Sequence, residues 1–567
     1  MDYKLLFQIL SEVIGGLGVF LLGMKYMSEG LQTISGDRLR KMISLITNNR
    51  FMGVLVGVAV TCIVQSSSVT TVMVVGFVNS GIMTLMQAIG VIFGANIGTT
   101  ITGWILVLKI GKYGLPMLGI AAFFFLFSKR ERLRYIGMAI MGVGMVFFGL
   151  ELMKNGFKPI RSLPEFATWF QAFQATTYLG VIKCAAVGCI LTMIVQSSSA
   201  TLGITIGLAS TGVIEFQTAA ALVMGENIGT TITAWLASLG TTTTAKRAAY
   251  AHVLFNVIGT TWFIAMFPIA IKAVSALIAK QMGHNPLEIN IDSFGDDDKF
   301  AQIITAGIAL THTSFNVANV LVFLPFAGLL GKLVTKLVPE KSKKEISHLS
   351  YLNVRMLDTP SLGIVQSMDE VAEMGRHTEK MFGFLRDIVA DDKPNDELVK
   401  KLFHREEVLD IVQKEITEFL GNMLSGNVPH DVAIAGRQQI RMADEYESIS
   451  DYLANILKLR IKLDKEGLSF TDQENNELME LHDNVADYVK MITDSINAGM
   501  PEIISKANTN GDMITHEIKE LRSRHLERVG QKTTTPLHSL IYTDILNCYR
   551  RVKDHALNIA EALAGEK

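Results

Sequence analysis

A glutamine followed by three serines occurs twice in this chain, at Gln65-Ser66-Ser67-Ser68 and at Gln196-Ser197-Ser198-Ser199. A serine triplet at a helix break supplies hydroxyls, free backbone N–H groups and the positive end of a helix dipole. Two such breaks would hold one tetrahedral anion without a permanent cation. Freed carbonyls at the same breaks, together with the side-chain oxygens, suit sodium as well. The alternative is that serine and threonine merely let helices pack closely in a membrane.

The surroundings of the two triplets are duplicated too. At a fixed offset of 131 residues, 17 of the 40 positions from Gln65 to Trp104 are identical in the second copy. Each copy contains a further polar stretch, Asn96-Ile97-Gly98-Thr99-Thr100 in the first and Asn227-Ile228-Gly229-Thr230-Thr231 in the second. We predict a second helix break at each stretch, because glycine permits backbone conformations that other residues resist. The alternative is that Asn and Thr cap helices there.

These motifs lie in strongly apolar sequence. Between Arg50 and Lys109 there are 58 residues without Asp, Glu, Lys or Arg. As a helix this run would be about 87 Å long, nearly three times the roughly 30 Å of a bilayer core. Lipid tolerates its many Ser, Thr, Asn, Gln and Gly residues only where protein or a wet cavity surrounds the backbone. Interrupted segments at matching places in two halves are typical of the binding site of a secondary transporter.

We therefore predict an all-α, polytopic membrane domain over residues 1–340, with two repeats that contain broken or re-entrant helices. Its parts are repeat one at about residues 10–110, repeat two at about 136–240, and two further helices at 245–279 and 300–337. Basic segments at residues 38–41 and 129–134 mark the cytoplasmic side. The first helix of one copy ends at such a segment and that of the other copy begins at one, so the repeats should be inverted.

The duplicated triplets, the Asn-Ile-Gly-Thr-Thr stretches and Ala251-His252-Val253-Leu254-Phe255-Asn256 resemble the type II sodium–phosphate cotransporter family over about residues 10–335. The resemblance implies that phosphate is carried with sodium. The phosphate-binding residues expected are Gln65, Ser66, Ser67, Ser68, Gln196, Ser197, Ser198 and Ser199. The sodium-binding residues expected are Gln65, Ser68, Asn96, Thr99, Thr100, Gln196, Ser199, Glu226, Asn227, Thr230 and Thr231.

Glu226 is an unusual member of that set. Glu226 and Glu215 are the only charged residues between Lys183 and Lys246, and the first copy has Ala95 at the position equivalent to Glu226. An isolated charge inside a membrane costs about 3 kcal/mol on insertion scales, so an intramembrane carboxylate is a functional candidate by default. Two alternatives stay open for Glu226, an ion pair and a water-exposed vestibule position.

The character of the chain changes near residue 340. Residues 1–340 carry 23 basic and 15 acidic side chains, whereas residues 341–567 carry 29 and 39. Residues 341–361 have the composition of a linker, and residues 362–567 show charged amphipathic helices with apolar residues at three and four spacing. We predict a soluble six-helix bundle there. Its helices are expected at about 362–390, 395–424, 429–462, 471–498, 500–527 and 535–564.

This second region resembles the PhoU family of phosphate-signalling domains, at 441–444, 447–451 and 554–561. The resemblance implies a regulatory cytosolic domain and a divalent or iron-type metal bound by Glu447, Asp451 and Asp554. Arg550 stands where the pattern would place a second Glu before Asp554, so one of the two metal sites of that family lacks a ligand here. The alternative is that these carboxylates form a solvated face of the bundle.

Together these features predict a sodium–phosphate symporter of the cell (inner) membrane, with its C-terminal domain in the cytoplasm. Two alternatives stay open: a phosphate exporter, and a membrane-anchored phosphate sensor with little flux. The expected partners are inorganic phosphate, sodium and the lipid bilayer, and a homodimer is left open. The sequence has no nucleotide-binding loop, no Gly-x-Ser-x-Gly elbow and no basic, aromatic patch, which argues against an enzyme and against nucleic-acid binding.

Overall fold

The computed structural model of the chain describes residues 3–44, 49–79, 83–108, 111–163, 173–239, 241–339, 360–390, 396–426, 428–498, 503–531 and 535–565. These residues are helical almost throughout and contain no strand. They belong to two compact units, the membrane unit (Met1–Lys343) and the C-terminal unit (Lys344–Lys567). The prediction of an all-α protein is thus confirmed.

The helices of the membrane unit are α1 (Tyr3–Ser44), α2 (Arg50–Val64), α3 (Ser67–Asn79), α4 (Leu85–Thr99), α5 (Ile101–Val107), α6 (Gly111–Phe127), α7 (Glu131–Phe157), α8 (Tyr178–Val195), α9 (Ser198–Ser210), α10 (Phe216–Ala237), α11 (Thr243–Ala265), α12 (Phe267–Met282), α13 (Ile291–Phe294), α14 (Asp297–Phe323) and α15 (Ala327–Leu337). Within the described residues, six helical segments are long and apolar enough to cross a membrane. They are Tyr3–Ser35, Leu85–Val107, Glu131–Arg161, Tyr178–Val195, Thr243–Ala265 and Asp297–Phe323. The predicted polytopic membrane architecture is therefore present.

The first helices of the two repeats, α1 and α7, pack against each other through glycines. A Cβ atom on Gly16 would lie 2.8 Å from the Gly149 carbonyl oxygen, and one on Gly23 would lie 2.8 Å from the Gly142 oxygen. Small residues at such positions let the backbones of membrane helices approach closely. Because the contact positions ascend along α1 and descend along α7, the two equivalent helices run antiparallel. The inversion of the whole repeats relative to a bilayer remains a prediction.

Gly23→Ala should destabilise the membrane unit, because the added Cβ would meet backbone atoms of Val146 and Gly142 at 2.6 and 2.8 Å. Overpacking of this kind costs about 1–3 kcal/mol. Gly18→Ala is the matched control, since α1 has open space at that position and alanine favours a helix over glycine. Thermal melting in detergent should show a lower midpoint for Gly23→Ala alone. Equal midpoints for the two variants would contradict packing through glycine.

Inverted repeats place equivalent loops on opposite sides of the membrane. In a background without the four native cysteines, a cysteine at Lys158 should react with an impermeant maleimide added outside the cell. A cysteine at Arg40 should react only after the membrane is permeabilised. Labelling of both positions from the same side would show that the repeats are parallel.

The chain reverses at the first triplet, so α2 and α3 form a hairpin rather than one helix. The Oγ1 atoms of Thr61 and Thr70 lie 3.1 Å apart, whereas a straight helix would separate these residues by about 13 Å. The reversal occurs at Gln65, whose φ of 56° and ψ of 21° are left-handed. Gln196 has the same turn, with φ 56° and ψ 25° at the end of α8. Both triplets thus lie at breaks of the predicted re-entrant kind.

The second predicted break amounts to one tightened helical turn in the first copy and is absent from the second. In the first copy, Thr100 separates α4 from α5. In the second copy, α10 continues through Asn227–Thr231, so the break predicted there is wrong. The physical reason is that glycine serves close packing at this place: a Cβ on Gly229 would lie 2.7 Å from the Thr192 Cβ in α8. Its counterpart Gly98 makes the equivalent contact with α2.

The two long segments after the repeats each consist of two helices. The first divides at Met266, two residues before Pro268, and the second divides around Pro325. Proline lacks a backbone N–H and its ring clashes with the preceding turn, so it interrupts a helix. The sequence pattern showed the apolar segments but not these divisions.

The C-terminal unit contains α16 (Pro360–Ala390), α17 (Asp396–Leu424), α18 (His430–Lys465), α19 (Asp472–Ala498), α20 (Ile503–Gly530) and α21 (Pro536–Ala564) among its described residues. Helices α16–α18 pack together, as do α19–α21, and α18 meets α21 between the two groups. Tyr446 and Tyr542 are fully buried in its core. The predicted bundle of six helices is confirmed, whereas the predicted linker lies outside the described residues up to residue 359.

Candidate functional site

The first serine of each triplet caps the helix that follows. Ser66 Oγ accepts the Val69 N–H at 3.2 Å, and Ser197 Oγ accepts the Ala200 N–H at 3.3 Å. In these bonds the serine oxygen accepts, so the hydroxyl hydrogen can still be donated. Helices α3 and α9 therefore both begin, with their positive dipole ends, at a serine-lined break. Such a helix start favours an anion.

The glutamine before each triplet has a strained backbone. Gln65 and Gln196 are the only non-glycine residues with positive φ in the described part of the chain. Each closes the preceding helix by donating its N–H to a threonine carbonyl, of Thr61 or Thr192, at 2.7 Å. This conformation costs a non-glycine residue about 1–3 kcal/mol, and such residues cluster at functional sites. Its presence in both copies indicates that the glutamine side chain has a role that glycine could not fill.

Thr102 brings the two triplets together. Its Oγ1 lies 3.4 Å from Gln65 Oε1 of the first triplet and 3.4 Å from Ser199 Oγ of the second. All three side chains are buried. The two breaks therefore face one shared region. Thr102 lies within the repeat but was not predicted as a site residue. The available signal was its position two residues after the Asn-Ile-Gly-Thr-Thr stretch.

The two triplets have different surroundings. Gln65 is 8% exposed and Ser67 is 3% exposed, whereas Gln196 is exposed and Ser198 is half-buried. The Gln65 side chain also donates from Nε2 to the Cys62 carbonyl of its own helix. Equivalent sequences thus occupy a closed environment in one half and an open one in the other.

The Asn-Ile-Gly-Thr-Thr stretches bond largely to their own helices. Asn96 and Asn227 each donate Nδ2 to the carbonyl four residues earlier, at 2.9 Å. Threonine hydroxyls donate in the same way to carbonyls three or four residues earlier, at Thr100, Thr230 and Thr231. These bonds use the donors of the side chains, and an amide or hydroxyl oxygen can still coordinate a cation. Thr99 is buried beside them.

Glu226 lies in the interior of the membrane unit. It is 1% exposed, its Oε1 accepts from Thr205 Oγ1 at 3.0 Å, and its Oε2 has no hydrogen-bond partner among the described residues. The first copy has Ala95 and Val74 at the equivalent positions, so an apolar pair there replaces a polar pair here. A water-exposed vestibule position does not fit this burial. A buried carboxylate with an unsatisfied oxygen calls for a cation or a proton.

Two polar residues of α1 support the first break from behind. Ser28 Oγ donates to the carbonyl oxygen of Val64 at 2.6 Å, and Gln32 Nε2 donates to Ser28 Oγ at 2.6 Å. Val64 is the last residue of α2, so the serine satisfies a carbonyl that the break leaves without a helical partner. Sequence reasoning missed this pair. Its four-residue spacing within an apolar helix was the only signal.

The acidic residues expected to bind a metal in the C-terminal unit do not form one group. Glu447 and Asp451 lie one turn apart on α18, and burial, followed by the neighbouring Asp451 and Asp410, raises the pKa of Glu447. Asp554, on α21, pairs with Lys553 at 2.5 Å. The described residues contain no group of three or more His, Cys, Asp or Glu that could hold a metal. The metal expectation therefore receives no support.

An all-helical membrane unit with two matched re-entrant breaks that face one polar region has the architecture of a secondary carrier. Residues 19–155 and 164–280 match the family described as Na+/Pi-cotransporter, and residues 371–459 match the PhoU domain. The membrane unit belongs to the Na+/Pi-cotransporter family, a family of transporters, and a PhoU domain follows it in the chain.

Several relatives have names taken from phosphate transport. The chain is 24% identical over 480 residues to YjbB of Salmonella typhimurium, a protein named for inorganic phosphate export, and 83% of each chain is covered. It is 29% identical over 322 residues to the uncharacterized protein YqeW of Bacillus subtilis, with 57% of this chain and 96% of YqeW covered. Human sodium-dependent phosphate transport protein 2B is 39% identical over 98 residues, 17% of this chain and 14% of that protein. No solved structure matches the chain.

Proposed function

We propose that the protein carries inorganic phosphate across the cytoplasmic membrane together with sodium, through the region where the two triplets meet. The observation that supports this most directly is the approach of Thr102 to Gln65 and Ser199, because it unites two serine-lined helix starts. Two positive helix ends and several hydroxyls suit a tetrahedral oxyanion. The proposed phosphate ligands are Gln65, Ser66, Ser67, Ser68, Gln196, Ser197, Ser198 and Ser199.

Sodium suits the oxygen ligands of the repeats and the carboxylate of Glu226, whose partner Thr205 lies about two turns along α9 from Ser198. Glu226 is buried with an unsatisfied Oε2. The matching family is described by sodium and phosphate cotransport, and a relative that is similar over a short stretch is named for sodium-dependent phosphate transport. A sodium ion beside Glu226 would neutralise the carboxylate and attract the phosphate. Each ligand would then bind more tightly in the presence of the other. The proposed sodium ligands are Gln65, Ser68, Asn96, Thr99, Thr100, Gln196, Ser199, Glu226, Asn227, Thr230 and Thr231.

Phosphate export is the second candidate. The relative that shares 83% of its length with this chain is named for export, whereas the sodium-dependent relative is similar over 98 residues only. Both candidates use the same binding region. In a secondary carrier the direction of net flux follows the gradients that drive it, so the site alone does not select one.

Flux of labelled phosphate in proteoliposomes tests the proposal. With an inward sodium gradient, phosphate should accumulate inside the vesicles, and a reversed gradient should expel preloaded phosphate. A potassium gradient of equal size is the control. Flux that ignores sodium would contradict coupling and favour an exporter of another kind. Phosphate binding without flux under any gradient would favour a membrane-anchored sensor.

The C-terminal unit should regulate transport rather than perform it. It lies after the membrane unit in the chain and matches a PhoU domain. Lysines at the end of the membrane unit, at residues 332, 336, 341, 343 and 344, favour a cytoplasmic attachment point. A chain that ends at Lys344 should still insert and should keep sodium-driven phosphate flux within about twofold of the full chain. Loss of flux in a truncated protein that elutes as a folded monodisperse species would make the C-terminal unit part of the carrier.

A further inference from the structure

The two repeats share their helix packing down to single contacts. A Cβ atom on Gly94 would collide with the Val54 carbonyl oxygen, and one on Gly225 would collide with the oxygen of Ala185, the residue equivalent to Val54. The glutamines before both triplets have the same φ and nearly the same ψ. The backbone around each triplet is therefore built in the same way twice.

Against this shared background, the helix that follows the Asn-Ile-Gly-Thr-Thr stretch has different contacts in the two copies. In the first copy the helix has one turn residue, Thr100, with right-handed helical φ and ψ of −67° and −17°, and the Thr102 hydroxyl lies 3.4 Å from both Gln65 Oε1 and Ser199 Oγ. In the second copy α10 is unbroken, and the equivalent Thr233 donates its hydroxyl to the Thr230 carbonyl of its own helix at 3.0 Å. The equivalent hydroxyls of Thr102 and Thr233 thus have different partners within one chain.

The ends of the two repeats also differ in their contacts. A cavity of about 740 Å³ lies at the turn between α9 and α10, where Ser210, Thr211 and Glu215 line it. At the equivalent turn of the first copy, Asn79 takes the place of Ser210 and is 7% exposed. Its Oδ1 accepts the Thr242 N–H at 2.7 Å, which ties that end to the start of α11. The cavity described here thus lies at the turn of the second repeat.

We propose that Thr102 and Thr233 are alternating latches between the two halves. In the conformation described above, Thr102 joins Gln65 to Ser199. In the opposite conformation Thr233 joins Gln196 to Ser68, the equivalents of those two partners, and Thr102 donates to its own helix. Because the equivalent hydroxyls already show both bonding patterns, an exchange of those patterns between the repeats keeps the total number of such contacts unchanged. The inference rests on the proposed carrier function and gives these threonines a positioning role.

Valine substitutions separate the two latches, since valine keeps the shape of threonine without its hydroxyl. The reporter is Glu215→Cys in a background without native cysteines, because Glu215 is exposed and lines this cavity. Thr102→Val should slow maleimide labelling of this cysteine by up to about fivefold, because one ordinary hydrogen bond changes an equilibrium constant by about that factor. In the Thr233→Val variant, the reporter cysteine should react with maleimide at least as fast as in the parent protein. Thr102→Ser, which keeps the hydroxyl, should restore the parent rate.

Threonines with only a structural role would change the labelling rate equally in both valine variants or not at all. Either result would overturn the proposal. Thr102→Ala serves as a second variant if Thr102→Val does not fold, with melting in detergent as the check. The labelling needs neither phosphate nor flux. A protein that fails to transport phosphate but shows the one-sided effect would therefore refute the proposed function and leave the latches in place.

Discussion

Alanine at Ser67 or at Ser198 should weaken phosphate binding by roughly 30-fold. Each serine occupies the first turn of the helix after a break, α3 or α9. A hydrogen bond to a charged ligand contributes about 1.5–3 kcal/mol, and 2 kcal/mol is about a 30-fold change in affinity. Sodium-driven uptake at low phosphate should fall by a similar factor in both variants.

Ser238→Ala is the matched control for these variants. Ser238 is also buried and also lies at a helix end, but its hydroxyl donates to the Trp235 carbonyl at 2.7 Å. The Ser238→Ala variant should keep phosphate affinity within about twofold of the parent protein, because distant sites that share no partners usually act independently. Parent-like affinity in both Ser67→Ala and Ser198→Ala, with correct insertion, would remove the triplets from the phosphate site.

Glu226→Gln should weaken the sodium dependence of phosphate binding more than it weakens phosphate binding at saturating sodium. Glutamine keeps the size of the side chain and the hydrogen bond with Thr205 Oγ1, but it removes the charge that a sodium ion would balance. A coupling free energy of about 1–3 kcal/mol between the two ligands is typical. Its loss would reduce the effect of sodium on phosphate affinity by roughly 5- to 150-fold.

The measurement is phosphate affinity across a sodium titration at two pH values, since a proton could neutralise Glu226 in place of sodium. Glu215→Gln is the control, because Glu215 precedes the same helix and is exposed. Parallel titration curves for Glu226→Gln and the parent protein would show that Glu226 plays no part in coupling. If the titration curves of Glu226→Gln and the parent protein coincide at one pH only, a proton neutralises Glu226 at that pH in place of sodium.

The breaks at the triplets could be predicted because two independent signals agreed there. Polar residues in an apolar run already require an unusual backbone, and the duplication excluded chance. The six helices of the C-terminal unit were predictable for a similar reason, since amphipathic spacing and prolines such as Pro536 marked their limits. In both cases the deciding information is local in the sequence.

Contacts between distant elements were not predictable in this way. Thr102 meets Ser199 across 97 residues, and Ser28 reaches the end of α2 across 36. Nothing local distinguishes them from threonines and serines that bond to their own helix. The break predicted at Gly229 was wrong for another reason. A glycine that allows a backbone break and a glycine that allows close packing look alike in sequence, and Gly229 has the packing role.

One comparison within the sequence held more information than its local pattern. Glu226 and its partner Thr205 both become apolar in the first copy, as Ala95 and Val74. Two positions 21 residues apart that change character together indicate a contact. The internal repeat thus supplied a pairing that a single copy could not reveal.

The number of phosphate ions bound per chain tests the central claim, that both triplets form one shared site. Equilibrium binding of labelled phosphate to the purified protein at saturating sodium should give one ion per chain. Ser67→Ala and Ser198→Ala should each lower the affinity of that single site, and the double variant should lose measurable binding. Two ions per chain, each removed by one substitution alone, would contradict the account and give every triplet a site of its own.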